Sequence, residues 1–249
     1  MDIYLKSNHE IEIIRANGAI LAEIFDRLSE FIKPGVATVE INRLVEDILA
    51  KRGAVPSFLG YRGFPAAACI SVNEVVVHGI PSSRKLVEGD IVSVDIGSFR
   101  NGFHADAART YPVGNITDEA AKLIKAAEDA FISGSKKAVH GGRLSDISNA
   151  VQLTAEAAGF GVVRDMLGHG IGRSVHEDPP IPNYGPAGRG PKLRNGMVLA
   201  IEPMLTMGDY HIATSKLDGW SCSTKDGKIS SHYENTVAIT REGLQILTA

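Results

Sequence analysis

Cysteine is scarce in this chain, and what there is does not pair. Cys69 and Cys222 are the two among 249 residues. Neither belongs to a C-x-x-C motif, which excludes a disulfide framework and leads us to expect a reducing, cytoplasmic setting. A strong net charge is also missing: the formal value is −3, which supplies no basic field for a nucleic-acid partner. No apolar run is long enough to cross a membrane, and the opening stretch MDIYLKSNHEIEIIRANG is charged and amphipathic rather than a signal-peptide core. The zinc-protease signature H-E-x-x-H is absent, because His176-Glu177 runs into Asp178-Pro179-Pro180.

What is present reads as two similar sections. The length suits one α/β or α+β domain, or two smaller fused halves. Ser7 with Glu10 forms a capping box before a helical run with Ile13, Ile20, Ile24, Leu28 and Phe31, ending at Pro34-Gly35. A second helix carries Ile41, Leu44, Val45 and Ile48 before Gly53. Thr117 opens a third helix through Phe131, and after Gly141-Gly142 a fourth is expected with Ser145 as its cap, stopping near Gly159. The strands repeat as well: LVEGDIVSVD (86–95) aligns with LRNGMVLAIE (193–202), matching Leu86 with Leu193, Gly89 with Gly196 and Asp95 with Glu202. The offset is 107 residues, and Gly35 and Gly142 share it. We expect two halves of like topology, roughly 1–115 and 116–249, facing each other across a pseudo-twofold axis.

The stretch DIVSVDIGSFRNGFHADAART (90–110) then supplies acids to that axis. Asn101-Gly102 is a type I′ hairpin signal. A two-residue turn sets Arg100 opposite Phe103, Asp95 opposite Ala108, and Asp106 opposite Gly97. Both carboxylates fall on one face as diagonal neighbours within roughly 7–8 Å at Cα, while Val92, Val94 and Ile96 point the other way. Solvated aspartates on an open face are the alternative. If the face is buried, something cationic must sit between them. The second half offers Glu202 at the end of its matching strand and Glu234 in the strand-like run SSHYENTVAIT. Four carboxylates converging on one axis require a metal, and such oxygen-rich sites suit hard or borderline divalent ions.

Histidines are available to complete the set. MLGHGIGRSVHEDPP holds His169 and His176 among glycines and prolines that exclude a long helix. The glycines beside His169 suggest backbone that approaches a ligand closely. His78 ends the apolar run NEVVVHGIP, where a structural role competes with a functional one.

In this order, NEVVVHGIP, VDIG…NGFHAD, GHGIG, HEDP, AIEPM and HYENT resemble a type I methionine aminopeptidase of the bacterial kind, over essentially the whole chain. The resemblance implies the α+β pita-bread fold, in which two pseudo-symmetric halves with antiparallel sheet and covering helices form a single catalytic domain. It implies Asp95, Asp106, His169, Glu202 and Glu234 as ligands of two divalent metal ions, with Fe2+, Mn2+ and Co2+ all compatible. A water activated by those ions would attack, with Glu202 also carrying its proton. His78 and His176 would contact substrate as non-ligand catalytic histidines, and Tyr61, Phe64, Cys69 and Trp220 would line the methionine pocket. The sequence departs from the commonest pattern at Phe64, where tyrosine is usual, and at Val175, where a bulky aromatic is frequent; both bear on substrate fit. The implied activity is removal of the initiator methionine from peptides and nascent chains, preferentially before a small second residue. Transient ribosome association is compatible with that activity, though no basic tail argues for it; neither nucleic acid nor membrane is needed, and a monomer is the expected state.

Three competing readings have discriminators. A proline-specific peptidase of the same fold shares the five ligands but usually carries an extra N-terminal domain, whereas the first helix here starts at about Ser7. A type II methionine aminopeptidase would need a helical insertion in the second half. A non-catalytic binding protein of this fold would have lost ligands, and all five are present.

Overall fold

The computed structural model describes residues 2–249. The first half runs α1 (Asn8–Phe31), α2 (Thr38–Lys51), β1 (Val55–Pro56), β2 (Ala68–Val72), β3 (Val75–Val77), β4 (Ile91–Arg100) and β5 (Phe103–Pro112). The second runs α3 (Asp118–Ser135), α4 (Leu144–Ala157), β6 (Gly161–Val162), β7 (Gly168–Gly170), β8 (Glu177–Ile181), β9 (Val198–Ile201), β10 (Met204–Thr206), β11 (Ile212–Thr214), β12 (Cys222–Thr224), β13 (Ser230–His232), β14 (Glu234–Thr240) and β15 (Gly243–Ile246).

Both halves feed one antiparallel sheet in the order β1-β4-β5-β14-β9-β7-β8, with β2 also on β4 and β15 also on β14. On one face Ile70, Val92, Val94, Ile96, Ala105 and Ala107 pack under α1 and α2. The second half buries Ile147, Leu199, Ile201 and Val237 in the matching way. The opposite face of the central strands is left for the acids.

Local chemistry explains the elements. Ser7 accepts the Glu10 N–H while Glu10 reaches back to the Ser7 N–H at 2.8 Å, which starts α1 as expected and stabilises it by about 1 kcal/mol. Asn17 is buried in the middle of α1, and its amide donates to the carbonyls of Arg100 and Phe103. The helix thereby grips the hairpin beside its turn. One glycine of α1 is required by packing: a Cβ on Gly18 would lie 1.9 Å from the Leu247 carbonyl oxygen.

The repeat is visible in backbone bonds, with two corrections to its register. Gly35 N–H donates to Leu86 O, and Gly141, not Gly142, makes the same bond to Leu193 O. Gly35 and Gly141 also share a positive φ, 94° and 90°. The α2–α4 part of the repeat is therefore offset by 106 residues and the strand part by 107. The fourth helix is capped at Arg143, with Ser145 already inside it. Asp146 reaches back to the Arg143 N–H at 2.9 Å, just as Glu40 reaches Ala37 N–H in α2. The third helix continues one turn beyond Phe131 to Ser135, because Ala130, Phe131 and Gly134 still face the core.

β14 changes partner along its length. It pairs with β5 only at Glu234 and Asn235, then with β15 from Val237 onward. At the changeover, Thr236 gives its hydroxyl to Asp106: Oγ1 accepts the Asp106 N–H at 2.9 Å and donates to the Asp106 carbonyl at 2.8 Å.

Candidate active site

The hairpin adopts the expected register, with Arg100 opposite Phe103, Asp95 opposite Ala108 and Gly97 opposite Asp106. Asn101 and Gly102 carry the positive φ values, 53° and 83°, that a type I′ turn needs. Residues directly opposite one another in an antiparallel sheet point to the same face. Across the sheet, Cys69, Asp95, Ala108 and Glu234 form one such row, and the pairing of Asn235 with Ile201 leads Glu202 to its end. The adjacent row holds Gly97, Asp106, Thr236, Ala200 and His169. All five expected ligands therefore lie on one face in two neighbouring rows.

The glycines flanking His169 serve the sheet rather than a ligand. A Cβ on Gly168 would sit 2.5 Å from Ala200 O, and one on Gly170 would sit 2.2 Å from Asp178 O. They let β8 and β9 close on β7, which fixes the His169 backbone. Its Nδ1 faces the Gly170 carbonyl at 2.9 Å, leaving Nε2 at 3.5 Å from Glu202 Oε1 and 3.9 Å from Asp106 Oδ2.

Among the described residues, no lysine or arginine pairs with any of the four acids; their neighbours are His169 and His232. Asp95 Oδ1, Asp106 Oδ1 and Glu234 Oε1 are buried without a hydrogen-bond partner. Burial pushes Asp95 up to about 7. Burial, and then repulsion among the acids, lifts Asp106, Glu202 and Glu234 well above the usual carboxylate range. Burial also lowers His169 to about 4, which keeps its imidazole neutral and free to ligate near pH 7. Candidate ligand atoms of Asp106, His169 and Glu234 lie within 4.8 Å of one another. Hard oxygen donors with orphaned lone pairs and one neutral imidazole fit a divalent cation.

A cavity of about 160 Å³ opens onto these groups. Its walls include every residue expected from the sequence, namely Tyr61, Phe64, Cys69, His78, Asp95, Asp106, His169, His176, Glu202, Trp220 and Glu234. Phe64 meets Trp220 edge to face at 5.2 Å between centroids, and His78 meets Trp220 at 6.3 Å. His78 holds a positive φ of 60°, unusual for a side-chain-bearing residue. His176, at the exposed rim, stacks on Tyr61 and hydrogen-bonds its hydroxyl through Nδ1 at 2.9 Å. Val175 is buried with Phe58, Phe64, Ala66 and Cys69, behind the slot.

Sequence reasoning missed three contributors. Phe58 and Arg62 also line the cavity, and no motif marks them. His232 is buried with both ring nitrogens unpartnered, and its Nε2 is 3.8 Å from Glu202 Oε2 and 3.9 Å from Glu234 Oε2. Its spacing of two from Glu234 was the available signal.

A cleft that gathers acids unable to ionise together without a cation belongs to a metalloenzyme. Comparison with known proteins makes the class specific: residues 12–241 match metallopeptidase family M24, and the chain belongs to that family. It is 56% identical over 246 residues to a methionine aminopeptidase of Clostridium perfringens, covering 99% of this chain and 98% of that one. It is 49% identical to methionine aminopeptidase 1 of Bacillus subtilis, covering 99% of both. The crystal structure of methionine aminopeptidase from Rickettsia prowazekii superposes with a TM-score of 0.98 at 38% identity, covering all of both chains. The fold is therefore the α+β pita-bread fold with two pseudo-symmetric halves, and family membership implies a hydrolase that uses a divalent metal.

Proposed function

We propose that the protein removes N-terminal methionine from peptides and nascent chains, preferentially before a small second residue. The observation that carries this reading is the junction of two surfaces in one small cavity. Acids and His169 form one wall, and the apolar slot of Phe58, Tyr61, Phe64, Cys69 and Trp220 forms the other. The slot suits an unbranched apolar side chain, gaining roughly 1–3 kcal/mol per methylene group.

Asp95, Asp106, His169, Glu202 and Glu234 would hold two divalent ions, with Fe2+, Mn2+ or Co2+ all compatible. Bound there, the metal supplies Lewis acidity, polarising the scissile carbonyl and lowering the pKa of a water. The remaining steps fall to the chain. Glu202 accepts the proton of the attacking water and returns it to the leaving amine. With the Tyr61 hydroxyl donating to Nδ1 of His176, the Nε2–H is free to donate to the carbonyl oxygen as charge develops on it. His78 contacts the scissile amide from beside Trp220.

The whole chain acts as one catalytic domain, with halves meeting near residue 115, and works as a cytoplasmic monomer with at most transient ribosome contact. No helix among the described residues is long and apolar enough to cross a membrane. Metal titration of the apo-protein against peptides that begin with methionine, leucine or proline tests the reading. Metal-dependent release of methionine alone is expected; release of leucine or proline at a comparable rate, or turnover in excess chelator, would refute it.

A further inference from the structure

The turn that carries His176 is held from behind by the first residues of the chain. Lys6 is 4% exposed although it is charged. Its Nζ donates to Glu177 Oε2 at 2.5 Å, and its own backbone N–H is tied to Gly196 O at 2.7 Å. The other oxygen, Glu177 Oε1, accepts the N–H groups of Arg173 and Ser174 at 2.7 and 3.1 Å. One glutamate thus fastens the start of the turn and the residue after His176 to a single buried ammonium. Two outer ties run alongside: Arg173 Nη2 to Glu10 Oε1 at 3.1 Å, and the Asp2 N–H to Asp178 Oδ2 at 3.0 Å. Gly172 closes against the pair, since a Cβ there would fall 2.4 Å from Lys6 Cε.

A buried ion pair is weak evidence of added stability, because desolvation offsets much of the attraction. Its geometric effect is definite: it specifies where the next side chain stands. Lys6 pairs with none of the five candidate metal ligands. What it fixes is the residue next to an imidazole that must meet a carbonyl oxygen to within a fraction of an ångström. On the reading of His176 as donor to the scissile carbonyl, we propose that Lys6 is a positioning residue which, through Glu177, aims His176 at the substrate.

A double-mutant cycle tests this in the metal-saturated enzyme, with kcat and KM read on a Met-Ala peptide and metal affinity read by calorimetry. His176→Ala should lower kcat by about 100-fold, the loss of one oxyanion donor. Lys6→Met should lower kcat by about tenfold through misaim, with KM and metal affinity unchanged. In the His176→Ala background, Lys6→Met should cost nothing further in kcat. Gly172→Ala, which crowds Lys6 without removing a charge, should follow the same pattern and replaces Lys6→Met if that variant fails to fold. Losses that add in the double variant, or a fall in metal affinity that accounts for kcat, would overturn the role of Lys6. An unimpaired His176→Ala enzyme would instead remove the donor reading, and the proposal with it.

Discussion

The hydroxyl of Tyr61 stands 2.9 Å from Nδ1 of His176, and the two rings stack with centroids 5.2 Å apart. A tyrosine expected from the sequence as a pocket wall therefore also orients the histidine at the rim. Tyr61→Phe keeps the stacking and removes the hydrogen bond. A net loss of about 1 kcal/mol corresponds to roughly a fivefold fall in kcat, with KM nearly constant. Steady-state kinetics on a methionyl peptide measures both; a change confined to KM would mean the phenol serves only the slot.

Glu202 lies at the end of the row shared with Glu234 and faces His169 Nε2 at 3.5 Å. On the proposed reading Glu202→Ala would remove a ligand and a proton carrier together, so turnover of methionyl peptides should vanish, a loss of at least about 10³-fold. Near-normal activity in that variant would sink the assignment.

Four raised carboxylates make metal binding at this site depend on pH. Asp95 moves from 3.8 to about 7 on folding, so its contribution is fully present below 3.8 and is lost as pH rises through 7; Asp106, Glu202 and Glu234 act in the same direction. His169 acts oppositely, moving from 6.5 to about 4, so its contribution is present above 6.5 and lost as pH falls through 4. Among the five candidate ligands the acids outnumber the histidine, and a metal bound there would replace their protons. The rise in Tm on adding metal should therefore be larger at about pH 7.5 than at about pH 5 by scanning calorimetry. A larger rise at the lower pH would contradict the shared burial of these acids.

The two-residue turn fixes which face Asp95 and Asp106 share. One residue inserted between Asn101 and Gly102, shifting the return strand, should weaken metal binding at least tenfold by calorimetric titration, an effect of roughly 1.4 kcal/mol, before Tm falls substantially. Unchanged affinity would show that the acids do not depend on this register.

The legible parts were those encoded over short spans. Asn101-Gly102 dictates positive φ at two adjacent residues and so fixes ten rungs of β4–β5 pairing. Ser7 and Glu10 declare the start of α1 within four residues. The repeat was readable because Leu86 and Leu193 stand at matching places just before the Gly89 and Gly196 turns, yet its register slipped by one at Gly141, since adjacent glycines look alike until a backbone bond selects one. Arg143 escaped notice as a cap because the partner is Asp146 reaching backward rather than a side chain of its own. The Lys6–Glu177 pair spans 171 residues and no local pattern encodes it; His232 is two residues from Glu234, but its approach to Glu202 needs the strands assembled.

Thr236 fastens one of the acids where the ladder parts. In an unbroken ladder β5 and β14 would stay about 4.8 Å apart along their whole length. Instead, pairing stops after Asn235, and one hydroxyl hems the gap by serving both backbone groups of Asp106. One of the four acids thus hangs from a side chain rather than from the ladder, while the segments bearing Phe58, Tyr61, His78 and Trp220 close the cavity in front of it.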